Sequence, residues 1–572
     1  MATAAVSAEL PFSNSKLDGP APSMASTTEE DDDASVQSTC SSSIFPEANF
    51  STLPKVPKEL LSARTVESQD LRLRLLRGST IVFFGTGYPA KRFIYERASD
   101  LGVNVVLVDE PDAWCKSLVE EGKAAKFIPM DIMSPDLDQV VADTVSALRD
   151  LRCQIDGICT FFELCLQPMC RIGKELGLRC ATEKSIMTAR DKYAARRALK
   201  EAGLPSVQNY LIKSEDDLQS AADTVGFPAV LKPLCGSASQ GVKKVTDFDD
   251  LRKTYYETCD MISNMVVVDG EFSEGVGDAS AGPKVHFGGF MLEEYLDGSE
   301  VDVDTVMCEG KCVYAAVHDN GPTVEPYFME TWDVMPSMLP KDQVEGLRKM
   351  AVDSVLAMGF NSGVFHVEGK YTSKGPRLIE VNARLGGGPV HMMNKIANGV
   401  DLVDEELLLS VGIPSAPVML PEDQRYAIAC STINALRSGR ISDLSFTKQW
   451  DHMDGVEVVS NHPLISEGDH IVGPEEGQPT WLADLIFKAP IKDLDKVGAL
   501  AIKLDKEAAV EFEKHYDEQW MQLLSPATDK HARPPSAIVG SLLGCCFFVS
   551  AIYYYSTLRG AMVSTYYIQV YL

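Results

Sequence analysis

Positive charge is scarce in this sequence: 53 lysines and arginines face 82 aspartates and glutamates, a formal net charge of −29. That balance argues against a nucleic-acid backbone as the main partner, though not against a local basic pocket for a small anion. Cys-x-x-Cys pairs are missing as well. Of the 14 cysteines only Cys545 and Cys546 are adjacent, and Cys308 with Cys312 has no second pair or histidine cluster beside it. This leaves neither a zinc ribbon nor a disulfide framework and fits reduced thiols in a cytoplasmic protein. The chain also lacks a basic start followed by an apolar run, so no secretory signal is expected.

What is present divides into five segments. Residues 1–68 are rich in Ser, Thr, Ala and Pro around the acidic run "EEDDD" (29–33), a composition expected to stay disordered. Residues 69–182 alternate strands and helices, and "STIVFFGTGYPAKRFIYERASDLGVNVVLVDE" (79–110) reads as strand, glycine turn, helix, strand. The reading is a Rossmann-like, doubly wound parallel sheet. Gly85, Gly87 and Ala90 fit the G-x-G-x-x-G/A fingerprint, and Asp109 stands where a ribose-binding acid belongs. An NAD(P)-dependent oxidoreductase is therefore one alternative. Residues 183–415 open with a helical stretch ending at Gly203, and residues 341–358 also read as a helix. Residues 416–525 change to turn-rich strands with a helix around 506–524 and read as a small α+β domain. In the tail, 526–572, no charge occurs from Pro534 to Leu558, and 537–555 is long enough to cross a bilayer. A tail anchor and a buried or irregular tail both remain open.

The chemistry concentrates in "GVFHVEGKYTSKGPRLIEVNAR" (363–384), which reads as a β-hairpin. Centring its loop on Lys374 places Glu368 opposite Glu380, with Asn382 on the same face. Like charges across a ladder destabilise it unless a cation lies between them. Two carboxylates and an amide, with no sulfur or imidazole, suit Mg²⁺. A solvated acidic face is the plainer alternative. Upstream, the short apolar strand 229–231 delivers Lys232 beside "CGSASQGV" (235–242), whose small residues can fold over phosphates although the Gly-Lys-Ser/Thr ending of a Walker loop is absent. "LEEYLDGSEVDVD" (292–304) offers a strand for a purine edge and Glu300 for ribose hydroxyls.

Taken in order, Lys192 on a helix, "VLKP" with its Gly/Ser loop, "EEYLDGSEVDVD", Glu368 and "EVNAR" with glycines resemble the ATP-grasp carboxylate–amine ligases over about residues 80–520. The resemblance extends to the dipeptide-forming members. It implies an α/β and α+β multidomain protein: a Rossmann-like pre-ATP-grasp domain, a two-lobed ATP-grasp domain (183–415) and a small C-terminal domain. It implies ATP and Mg²⁺, with Mn²⁺ able to substitute. Lys192 and Lys232 would hold phosphates, and Ser237, Ser239 and Gly241 would belong to the loop closing over them. Glu293, Glu294 and Leu296 would contact adenine, mainly through backbone, and Glu300 the ribose. Glu368, Glu380 and Asn382 would hold the metal. Arg384 would face the acyl phosphate, with Gly387 and its neighbours Gly386 and Gly388 letting the backbone approach it. The implied partners are small-molecule carboxylate and amino-acid substrates, with a homodimer common among such ligases and membrane contact only if the tail inserts. An ATP-grasp enzyme acting on bicarbonate or another carboxylate, and a non-catalytic nucleotide-binding protein, stay open.

Overall fold

The computed structural model describes residues 47–236, 239–268, 271–274, 288–474 and 480–517. From residue 47 on, these residues correct the expected disorder of 1–68, and residues 1–46 lie outside the described ones. A 3-10 turn (Phe50–Lys55) and two helices (Lys58–Ser62, Val66–Leu75) cover residues 50–75. Val56, Leu61, Leu71 and Leu75 are buried, and the guanidinium of Arg72, wholly buried, donates to the carbonyls of Leu61, Ala63 and Ala416. The Ser-rich composition stops before residue 47, and the segment beyond it carries enough apolar surface to dock.

The N-terminal layer is a four-stranded parallel sheet of β1 (Thr80–Phe84), β2 (Asn104–Asp109), β3 (Lys126–Pro129) and β4 (Gly157–Cys159), in the order β3-β2-β1-β4. Every residue of "TIVFF" in β1 is buried, as expected for a strand covered on both faces. The order reverses between β1 and β4, so the segments leaving these two strands border one crevice at the carboxyl ends.

Two principal antiparallel sheets follow, alongside minor antiparallel sheets of three and two strands. Of the principal two, the smaller runs Asn209–Ile212, Phe290–Glu294, Ala229–Pro233, Lys243–Val245. The larger has eight strands in the order Gly375–Asn382, Gly363–Thr372, Ser299–Cys308, Lys311–Asn320, Trp332–Met335, Tyr426–Asn434, Trp481–Pro490, Glu457–Pro463. Residues 416–525 thus extend this sheet, although their strands and the helix Leu494–His515 close a core of their own around Trp450, Phe487 and Phe512. The helix begins earlier than the 506–524 expected, because Val497, Ala501 and Leu504 already form its buried stripe. The stretch 183–203 is two helices, Glu183–Arg190 and Lys192–Glu201. Asp191 leaves the helical region (φ −93°, ψ 106°) and caps the second by accepting from the Ala194 N–H.

The hairpin 363–382 pairs Glu368 with Glu380, as expected, but by a different route. Thr372 faces Gly375 and Gly369 faces Leu378, so the turn is centred between Ser373 and Lys374. A bulge at Ile379 then shifts the register and brings Glu380 opposite Glu368 and Asn382 opposite His366. Among the described residues no helix is long and apolar enough to cross a membrane, and 537–555 lies outside them.

Candidate active site

A cleft of about 960 Å³, open to solvent, separates the two principal antiparallel sheets. Lys232 and Glu294, with Leu296 just past the strand end, line it from the side of the smaller sheet, and Glu300, Glu368, Glu380 and Asn382, with Arg384 just past the strand end, from the larger. Lys192, the first residue of its helix, enters between them: its Nζ donates to Glu380 Oε1 at 2.9 Å. Burial works against the Lys192 charge, yet Glu380 outweighs it and holds the ammonium above its ordinary pKa.

Glu368 and Glu380 converge as the hairpin reading required. Burial first, and the facing Glu380 second, push the Glu368 carboxyl well above the usual range. This is the electrostatic condition a dication relieves, and the donor set is oxygen only. The residues therefore fit Mg²⁺. The Asn382 amide donates through Nδ2 to Glu368 Oε1 at 2.9 Å, while its Oδ1 accepts from Arg384 at 3.3 Å. Asn382 thus braces Glu368 rather than lying beside it as a third free oxygen.

Behind the carboxylates lies a polar floor that the sequence reading missed. Glu380, Glu368, Asp302 and His318 stand directly opposite one another across four neighbouring strands. Asn382, His366 and Asp304 form the adjacent row. His318 Nε2 lies 3.1 Å from Asp302 Oδ2 and His366 Nδ1 2.8 Å from Asp304 Oδ1. Burial opposes charge on both imidazoles, but the aspartates prevail and lift His318 to about 9 and His366 to about 10. Asp302, His318 and Asp333 also bring ligand atoms within 4.8 Å of one another. With His318 protonated, Asp302 and His318 form an ion pair, which does not suit a metal. The signal for this floor was present in "EVDVD" and "FHVE": polar residues at every second position belong to one face.

The nucleotide-lobe residues are brought together unevenly. Lys232 Nζ donates to Glu293 Oε1 at 2.9 Å, and Arg196 Nε donates to Glu293 Oε2 at 2.6 Å. Glu293 is only 1% exposed. Burial alone would raise its carboxyl, but the two cations hold it at about 2. Its side chain is therefore committed to tying helix to sheet, which leaves only its backbone for the expected adenine contact. Glu294 pairs with Lys374 at 2.6 Å and Glu300 with Lys370 at 3.2 Å. Lys370, Tyr295 and Glu330 line the cleft without having been singled out. Ser239 is exposed and adopts φ +54°, lining the cleft, whereas Gly241 does not line it. A Cβ on Gly241 would come within 2.9 Å of Pro233, so packing explains that glycine. Ser237 lies outside the described residues.

The glycines after Arg384 have three separate reasons. A Cβ at Gly386 would meet His366 Nδ1 at 2.7 Å, and Gly388 adopts φ +52°. Of the three, only Gly387 has both open space and a φ outside the left-handed region, the nearest neighbour of a Cβ being the Tyr88 hydroxyl at 3.9 Å. Tyr88 belongs to the segment leaving β1. From the segment leaving β4, Glu163 accepts from Arg384 Nε at 3.0 Å. The same crevice disposes of the dinucleotide reading. Asp109 is buried, accepting from the Thr86 N–H at 2.7 Å, from the Thr86 hydroxyl and from the Glu110 N–H at 2.8 Å. A Cβ at Gly85 would lie 2.2 Å from Cys165 Sγ. Glycine and acid serve the turn itself, with nothing left for a ribose.

Sequence comparison matches the ATP-grasp domain over residues 225–391 and the ATP-grasp N-terminal domain over residues 95–178. Human carnosine synthase 1 is 30% identical over 401 residues, 68% of this chain and 46% of that protein. The alanine–anticapsin ligase of Bacillus subtilis strain 168 is 28% identical over 258 residues, 45% of this chain and 53% of that one. The chain thus spans about half the length of these relatives. The crystal structure of an L-amino acid ligase from Bacillus licheniformis superposes with a TM-score of 0.58 at 20% identity, covering 75% of this chain and 98% of that one. Two opposed antiparallel lobes, a parallel-sheet domain before them and both domain matches make the chain a member of the ATP-grasp family.

Proposed function

We propose that the protein is an ADP-forming carboxylate–amine ligase that joins two small amino-acid-like substrates. The observation that carries this reading is the convergence of Glu368, Glu380 and Asn382 with Lys192, Lys232 and Arg384 on one cleft. Relatives named as a synthase of carnosine and as a ligase of alanine and anticapsin support it.

In this reading a substrate carboxylate oxygen attacks the γ-phosphorus of ATP, ADP leaves, and an acyl phosphate remains. Lys192 and Lys232 neutralise phosphate charge as it shifts. Both are now paired with carboxylates, Glu380 and Glu293, which keep the ammonium groups in place before nucleotide arrives. Glu368 and Glu380, braced by Asn382, would hold Mg²⁺, and Mn²⁺ also suits their oxygens. When bound, that cation supplies charge neutralisation to the phosphates. The neutral amine nitrogen then attacks the acyl carbon, with Arg384 beside the developing oxyanion; the acyl C–O bond breaks, inorganic phosphate departs, and the nitrogen gives up a proton to solvent. The open space at Gly387 lets the reacting group approach the backbone. The ribose contact falls to Glu300 and the adenine contact to the backbone of 293–296.

The test is ADP release by the full chain with Mg²⁺-ATP and amino acids offered singly and in pairs. Release stimulated by a pair, with the amide seen by mass spectrometry, supports the ligase. ADP release driven by bicarbonate or another carboxylate without amide would overturn it in favour of a different ATP-grasp reaction.

A further inference from the structure

Glu163 belongs to none of the motifs, yet it is where the parallel-sheet domain grips the cleft. It opens the 3-10 turn Glu163–Cys165 just beyond β4, at the point where the strand order reverses. Its Oε1 lies 3.2 Å from Arg190 Nε in an ion pair, and its Oε2 accepts from Arg384 Nε at 3.0 Å. The three side chains are only 13–15% exposed. Arg190 is the last residue of the helix that Asp191 interrupts, so helix break and arginine fork are neighbours in the chain. Arg384 also donates through Nη1 to the Leu385 carbonyl at 2.9 Å and through Nη2 to Asn382 Oδ1 at 3.3 Å.

These contacts fix the guanidinium from two sides. Its own strand end supplies two acceptors, and a different layer of the fold supplies the carboxylate. A single carboxylate facing a single arginine would cancel its charge. Arg190 prevents this: two guanidiniums share one carboxylate, so the group keeps one net positive charge. A planar guanidinium held at Nε has its orientation set as well as its position.

We propose that Glu163 is the positioning residue for Arg384, aligning its charge with the acyl phosphate and the oxyanion that follows, with Arg190 as the counter-charge that keeps Arg384 electrophilic. The inference rests on the ligase reading above and extends it by giving the N-terminal domain a part in the chemistry. Without Glu163, Arg384 still lines the cleft but is held from one side only. Amine attack then loses its stabilisation while the acyl phosphate continues to form, and water takes a larger share of it.

The experiment compares wild type with Glu163→Gln and Glu163→Asp in the full chain, measuring kcat, KM for ATP and moles of ADP released per mole of amide. Glu163→Gln should lower kcat by about 10–100-fold, the range of a lost orienting partner, with KM for ATP nearly unchanged and excess ADP over amide. Glu163→Asp, which keeps the charge one methylene shorter, should fall between the two. If Glu163→Gln fails to fold, as judged by its melting transition, the aspartate variant carries the test with the same expected direction. Variants that melt earlier but keep kcat and the ADP-to-amide ratio of wild type make Glu163 a tie between layers only and overturn the proposal. A wild type that forms no amide with any pair overturns the ligase reading, and this inference with it.

Discussion

Glu368 and Glu380 face each other across an antiparallel ladder with Lys192 donating to one and Asn382 to the other. One ammonium offsets only one of the two carboxylates. Replacing Glu380 by Gln should therefore reduce ADP formation by well over the roughly 10–100-fold typical of an outer-shell partner. The loss should persist at saturating ATP and show as weakened Mg²⁺ binding by calorimetry. Turnover within a factor of two of wild type would remove the hairpin from the chemistry.

The same pair sets a pH dependence. A glutamate whose folded pKa is raised binds its proton more tightly in the native state than in the unfolded chain. Its contribution to stability is thus present below the ordinary value of 4.5 and is lost as pH rises toward about 7. Denaturant unfolding without metal should show this loss, on the order of 1–3 kcal/mol, in wild type but not in Glu368→Gln. Saturating Mg²⁺ should flatten the wild-type slope, because a cation favours the charged form. Parallel slopes for wild type and variant would contradict the assignment.

Glu293 makes the opposite kind of prediction. Removing its charge strands Arg196 and Lys232 in the interior, and breaking such a buried set costs roughly 3–5 kcal/mol. Glu293→Gln should therefore lower the unfolding midpoint sharply, whereas Glu294→Gln, on the exposed pair with Lys374, should leave it nearly unchanged. Equal midpoints would mean that the buried set contributes little.

The glycine run separates into structural and functional positions by the same measurement. Gly386→Ala forces a methyl group against His366 and Val390, an overpacking that costs typically 1–3 kcal/mol. Gly387→Ala enters open space, so the fold should be untouched while KM for the carboxylate substrate rises. A stable Gly386→Ala with normal kinetics would show that the His366 floor yields.

Much of this was legible in the sequence because the hairpin, the lysines and the loop are short-range patterns with local geometry. Asp302, Asp304 and His318 were not. Alternation in "SEVDVD" marks a common face, but it does not say whether that face meets water or a buried floor; the neighbouring strands from His366 and His318 decide that. Glu163 was hidden for a related reason. Its partners Arg190 and Arg384 are remote in sequence, and no spacing rule connects a residue after one sheet with a guanidinium at the end of another. The break at Asp191 was local and readable in principle, since Asp is a strong cap, but a continuous run of helix-forming residues masked it.

The bulge at Ile379 has a consequence for how this hairpin can change over evolutionary time. Across a two-residue turn, directly facing positions are always an odd number of residues apart, and Glu368 and Glu380 are an even number apart. Only an unpaired residue such as Ile379 reconciles the two. Insertions in the turn that arrive in twos preserve the meeting of the carboxylates. A single added residue sends Glu380 and Asn382 toward the face of Val367 unless the bulge is lost at the same time. The carbonyl of Ile379 accepts from Arg196 at 2.8 Å, so the misfit residue is itself anchored. Parity, as much as the identity of the acids, is what this stretch of chain must conserve.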